Sequence, residues 1–92
     1  MDKDFEILET AIKKYGIHAQ TWMMVEECGE LIDALAKFKR CRVSYMNIIT
    51  ELADVSIMVE QLAIYYGWDK FIAERKYKIA RLQNRLAGEK QD

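Results

Sequence analysis

The sequence predicts an all-α chain: a four-helix bundle-like protomer that assembles into a dimer or a dimer of dimers. Three observations predict it. Apolar residues recur at helical spacing along nearly the whole length, and no stretch alternates with period two for long enough to suggest a strand. Proline is absent and glycine occurs only at positions 16, 29, 67 and 88, so little interrupts a helix. The apolar fraction is 51% in only 92 residues. A chain this short buries about 60–65% of its unfolded surface, so the surplus apolar surface predicts a subunit interface.

The first helix spans about residues 3–15 and stops at Gly16. The second spans about 19–39, the third about 45–66 and the fourth about 69–87. Gly16, Gly67 and Gly88 each follow a helix-period segment, where a glycine just past the last turn is expected. Asp69 is placed to cap the fourth helix. The loop Arg40-Cys41-Arg42-Val43-Ser44 is short, so the second and third helices should pack antiparallel. Gly29 lies inside the second helix, where it suits either close helix approach or a tolerated defect.

The third helix carries the assembly argument. Ile48, Leu52, Val55, Val59, Leu62 and Tyr66 form a seam at helical spacing. Ile49, Ala53, Ile57, Met58, Ala63 and Ile64 carry the apolar surface around most of the cylinder. A helix apolar nearly all round is buried on most sides, and three other helices of one protomer can hardly cover it.

No repeat, low-complexity stretch or linker divides the chain, so residues 1–92 are read as one domain. A formal net charge of −1 argues against a nucleic-acid polymer as partner. No apolar run approaches the ~20 residues of a membrane span. Cys28 and Cys41 fit neither a disulfide framework nor a zinc signature. Cys28 falls on an apolar stripe and reads as a core filler. With no secretory leader pattern at the N-terminus, the expectation is a cytoplasmic protein.

The acids point to chemistry. Glu26-Glu27-Cys28-Gly29-Glu30 lies in the second helix and Glu51-Leu52-Ala53-Asp54 in the third. In each, acids recur at i, i+3 and so share a helix face. On the second helix, Met24, Cys28, Leu31, Ile32 and Leu35 read as the core seam. Glu27 and Glu30 lie beside it, on a stripe otherwise made of Met23, Ala34 and Phe38. Glu51 and Asp54 share a stripe with Met58 and Tyr65. Either acid pair alone reads as ordinary surface charge. Two pairs beside apolar seams on adjacent antiparallel helices would repel one another unless a cation lay between them. All-oxygen ligation suits magnesium, with manganese as the alternative, rather than zinc or copper. Bound magnesium most often serves phosphate chemistry, so a nucleotide or similar phosphoanhydride is the expected substrate class.

Charge is unevenly spread. Residues 1–33 hold eight acids and three bases, and residues 70–90 hold seven bases and two acids. A folded bundle would bring the basic last helix beside the acidic cluster, as a metal-plus-cation phosphate site requires; simple attraction between two solvated segments accounts for it equally.

The pattern Glu26-Glu27-x-x-Glu30 followed by Glu51-x-x-Asp54 resembles the EExxE…ExxD signature of the MazG-like all-α nucleoside triphosphate pyrophosphohydrolases. The run from Lys14 to Gln20 and the run Glu30-Leu31-Ile32-Asp33-Ala34-Leu35 also resemble small members, so the likeness covers about residues 10–85. It implies one MazG-like helical domain, shared between subunits of a dimer or dimer of dimers. It implies magnesium ligands at Glu27, Glu30, Glu51 and Asp54, a leading acid at Glu26 that orients the others or the attacking water, and Glu26 and Glu27 as the catalytic candidates. It implies cleavage of a nucleoside triphosphate between the α and β phosphates, giving the monophosphate and pyrophosphate.

The last helix departs from that pattern. Lys76 and Arg81 match the basic positions, but Ala80 stands where asparagine is usual, and the closing proline is missing. Lys78 and Arg85 share a stripe with Arg81 and are substitutes for phosphate contact; a solvated face with snorkelling stems accounts for the same bases. Gln20 and Trp22 precede the acids and are candidates for meeting a base, although Trp22 also reads as core. His18, the only histidine, reads as a cap or surface residue, and Trp68 as a helix-end packing residue. Two other readings remain: a phosphoribosyl-ATP pyrophosphohydrolase of the same superfamily, and a non-catalytic helical interaction protein. A di-iron carboxylate bundle is excluded, because it needs Glu-x-x-His pairs and His18 is in none.

Overall fold

A computed structural model describes residues 2–89. Residue 1 and residues 90–92, which the single-domain reading takes in, lie outside the described residues. The described chain is all helical: α1 (Lys3–Lys39), α2 (Tyr45–Tyr66) and α3 (Trp68–Glu89).

Helix α1 runs through the expected break but does not ignore it. Gly16 has φ 87° and ψ 159°, so two helical segments meet there across a kink. That backbone region is open essentially only to glycine. The Asp2 side chain accepts from the Asp4 backbone N–H at 3.1 Å and caps the start. Asp4 and Glu6 occupy the first turn and Lys37 and Lys39 the last, matching the helix dipole at both ends. The chain leaves α1 through Arg40, whose N–H bonds the Lys37 carbonyl at 3.1 Å, and through Cys41 at φ 59°, whose N–H bonds the Phe38 carbonyl at 2.8 Å.

Helix α2 returns antiparallel to α1, as the short loop requires, and this pair forms most of the packing. Gly67, at φ 138°, ends α2 with its N–H on the Ala63 carbonyl at 2.9 Å. The turn is tighter than the sequence suggests. Helix α3 restarts at Trp68, so Asp69 lies within its first turn rather than capping it, and α3 continues through Gly88. Trp68 is the helix-end packing residue expected, edge-on to Phe5 (centroids 5.3 Å) and tilted on Phe71 (5.6 Å).

Among the described residues a closed four-helix bundle is not formed. Beyond its first turns α3 packs on nothing: every residue from Ala73 to Glu89 is exposed. The radius of gyration is 16.5 Å, against about 12 Å for a compact chain of this length. The surface is 7402 Å², against roughly 5,500 Å² for a compact monomer of 10.8 kDa.

The core is correspondingly thin, made of Ile12, Ala34, Met58 and Ala63 together with the polar Gln20 and Gln61. The seam assigned to the second predicted helix is rotated from its expected place. Ile32 is 67% and Leu35 48% exposed, while Gln20 and Ala34 are buried and Met24, Glu27 and Leu31 half-buried. On α2, Leu52 and Tyr66 of the expected seam are exposed, as are Ile49 and Ile57. Gly29 serves no close approach within the chain, since a Cβ there meets nothing within 4 Å.

Candidate metal centre

The inward face of α1 after the kink carries Gln20, Met24, Glu27, Leu31 and Ala34, spaced three or four apart. Glu27 is therefore in the buried seam itself, not beside it. On α2, Glu51, Asp54, Met58 and Gln61 follow the same spacing and face α1. Gln20 Nε2 donates to Gln61 Oε1 at 2.8 Å and ties the two faces together. Glu27 lies seven residues after Gln20, and Asp54 seven residues before Gln61. Two helical turns from the glutamine bond, the antiparallel register thus sets Glu27 against Asp54 and Glu51.

Glu27, Glu51 and Asp54 each offer a carboxylate oxygen, and these oxygens lie within 4.8 Å of one another. All three side chains are half-buried. Oε2 of Glu27 and Oε2 of Glu51 are shielded from solvent and have no hydrogen-bond partner. Buried carboxylate oxygens are ordinarily satisfied. Burial pushes the Glu27 carboxyl above its ordinary value, and the charges of Glu30, Asp54 and Glu51 push it further. Burial likewise raises Glu51, followed by the charges of Glu30 and Asp54. Three inward acids with no base among them, two carrying orphaned oxygens, fit a hard divalent cation: oxygen donors, high negative charge and lone pairs without another use.

The remaining expected residues fall in different places. Glu30 is exposed and outside the triad, yet its charge acts on both Glu27 and Glu51. Glu26 is exposed, one residue and so about 100° round the helix from Glu27. The buried Gln20 has already committed its amide to Gln61, while Trp22 is 68% exposed. Two residues apart on a helix, they do not share a face. Lys76, Lys78, Arg81 and Arg85 are all exposed on the free part of α3. Lys78 reaches Glu74 at 3.9 Å, and the Arg81 guanidinium lies over the Tyr77 ring, 5.8 Å from its centre. Apart from Phe5 against Trp68, α3 does not pack on α1, so within one chain these bases are not brought to the triad. His18 and Cys41 are exposed and Cys28 is half-buried.

Sequence reasoning missed Gln61. Its signal was available: one amide among Val59, Leu62 and Ala63 in a strongly apolar helix. Apolar grooves flank α3 rather than the triad; one is lined by Met24, Val59, Leu62, Tyr66 and Phe71.

Comparison with family models, with curated proteins and with solved structures finds no match for this chain. No helix of the described residues is long and apolar enough to cross a membrane.

Proposed function

We propose that this protein is a magnesium-dependent nucleotide pyrophosphohydrolase that cleaves nucleoside triphosphates between the α and β phosphates. The observation that carries the reading is the triad: three inward carboxylates within 4.8 Å, two with buried, unpartnered oxygens. The resemblance of Glu26-Glu27-x-x-Glu30…Glu51-x-x-Asp54 to the MazG-like signature supplies the reaction class.

Glu27, Glu51 and Asp54 would hold the ion, with Glu30 completing the negative rim. Bound there, magnesium would neutralise phosphate oxygens and favour pyrophosphate as leaving group. Glu26, exposed at the edge of the cluster, is free of the triad and suited to orienting a water. The bases of α3 would meet the phosphates from a second subunit, since those of the same chain are not beside the triad. The excess surface supports such an assembly: roughly 1,900 Å² beyond a compact monomer is of the order that a stable homodimer hides. Phosphoribosyl-ATP is the alternative substrate within the same chemistry.

The experiment is turnover of a nucleoside triphosphate panel with magnesium in oxygen-18 water. The expected result is pyrophosphate release with label in the monophosphate. Label in orthophosphate, with diphosphate accumulating, would mean attack at the γ phosphorus and end the proposal. No turnover of any triphosphate or of phosphoribosyl-ATP would favour a non-catalytic helical partner protein instead.

A further inference from the structure

The triad raises a problem of register. Three carboxylates drawn together between two helices repel one another in the metal-free chain, so this register is the one their charges disfavour. The apolar part of the interface does little to resist a shift. Met24, Leu31 and Ala34 on α1 and Ile48, Val55, Met58 and Leu62 on α2 lie three, four or seven residues apart, the seven-residue gaps falling where Glu27 and Glu51 interrupt the stripes. Sliding one helix by a turn, about 5.4 Å, would set apolar groups against apolar groups again and carry Glu27 away from Asp54.

We propose that the buried Gln20–Gln61 hydrogen bond is a register lock that positions Glu27 against Glu51 and Asp54 before any cation arrives. The inference rests on the metal reading of the triad. Gln20 is 7% and Gln61 5% exposed. Among the described residues, theirs is the side-chain hydrogen bond that joins α1 to α2; the ion pairs Lys13–Glu9, Lys37–Asp33 and Lys78–Glu74 each lie within one helix. Gln61 is held in turn by its own Nε2, 3.8 Å from Met58 Sδ one turn back toward the triad. An amide pair in an apolar interface is satisfied in one alignment and orphaned in the neighbouring ones. Buried polar groups set helix register in the same way in coiled coils. The lock lies on the stripes that carry the acids, two turns from them, so a fixed alignment at 20 and 61 fixes the alignment at 27 and 54 as well. Gln20 and Gln61 are positioning residues; they hold the carboxylates and touch no substrate.

The test is Gln20→Leu/Gln61→Leu, which replaces the amide pair by apolar side chains. Two readouts are taken: Mn²⁺ affinity by electron paramagnetic resonance, and, in the metal-free protein, the pattern of methyl NOEs between α1 and α2, compared with that of the wild type. The double variant is expected to stay helical with an unchanged or higher melting temperature, to lose the native NOE pattern, and to bind Mn²⁺ at least tenfold more weakly. A native NOE pattern and wild-type affinity would overturn the lock. Wild-type protein that binds no Mn²⁺ would defeat the metal reading alone, because the NOE pattern still reports the register. If the double variant does not fold, Gln61→Met is judged by the same two criteria. Failure of both variants to fold would also overturn the proposal, since the pair would then be a general stability element. Gln61→Glu keeps an acceptor for Gln20 Nε2 and should keep the native NOE pattern; loss of the pattern there counts against the lock.

Discussion

Replacing Glu27 by glutamine should separate what the triad does to the folded chain from what it does with a metal. The substitution keeps the shape of the side chain and removes one of three charges whose oxygens lie within 4.8 Å. Without metal at pH 7 the variant should melt higher than the wild type, because burial and the neighbouring acids disfavour the charged form of Glu27. The introduced amide can also donate to the unpartnered Oε2 of Glu51. With metal the order should reverse. An ion that binds only the folded state at one hundred times its Kd adds about 2.7 kcal/mol. For a domain of this size that moves Tm by roughly 10–20 °C.

The assay is thermal unfolding followed by circular dichroism at 222 nm, in EDTA and in a magnesium titration, for wild type and Glu27→Gln. The wild type should gain more than about 10 °C at saturation, and the variant should lose most of that gain. Turnover should fall on the order of 10²–10³-fold, the scale of losing several kcal/mol of metal-supplied charge stabilisation. A wild-type Tm indifferent to magnesium and manganese would refute the metal argument. So would a variant that keeps the full shift.

Three further outcomes follow from the same structure. Glu27 and Glu51 titrate above their ordinary value of 4.5 when folded, so between 4.5 and the raised values the native state binds more protons than the unfolded one. Their contribution to stability therefore falls as pH rises through that window and stays flat above it; urea melts from pH 4.5 to 8, compared with Glu27→Gln/Glu51→Gln, should show the slope in the wild type and lose it in the variant. The two glycines of α1 should respond oppositely to alanine: Gly16→Ala, at φ 87°, should cost about 1–3 kcal/mol, and Gly29→Ala, in open helix, should gain about 0.5–1 kcal/mol, both read from urea midpoints. Leu82, 48% exposed on free α3, would be near-neutral to alter in a monomer, so Leu82→Glu should turn a sedimenting dimer or tetramer into monomer; a wild type that is monomeric at micromolar concentration would contradict the assembly.

Much of the local structure was legible because it follows from single residues. Gly16 and Gly67 mark the kink and the turn, since both adopt positive φ. The short basic loop forces the antiparallel pair. The acids stood out because Glu27, Glu51 and Asp54 interrupt stripes that are otherwise apolar. The exact inward face of α1 was less legible. Val25, Ile32, Leu35 and Phe38 are as apolar as Met24 and Leu31, so periodicity offers several faces and cannot choose among them. What selects the face is the partner helix, and there two amides decide: Gln20 and Gln61 can be buried only opposite each other. A reading that sorts residues into apolar and polar places both outside.

The fate of α3 shows the other boundary of what sequence carries. Its apolar residues Ile72, Ile79, Leu82 and Leu86 lie at alternating four- and three-residue intervals with Arg75, the spacing of a helix that packs against another helix. Such a pattern requires a partner surface but does not say whether that surface belongs to the same chain. Within one chain the stripe is uncovered: Ile79, Leu82 and Leu86 are each nearly half exposed. A helix of 22 residues with most of its length unpacked is poorly stable in water by itself. Its bases, Lys76, Lys78, Arg81 and Arg85, are also separated from the acids they would complement. Apolar burial and charge pairing make the same demand, and a second subunit lying across the α1–α2 hairpin would meet both at once. Under the proposed function the triad would be one half of a phosphate site: the hairpin would supply the acids, and a neighbour's last helix would supply the bases.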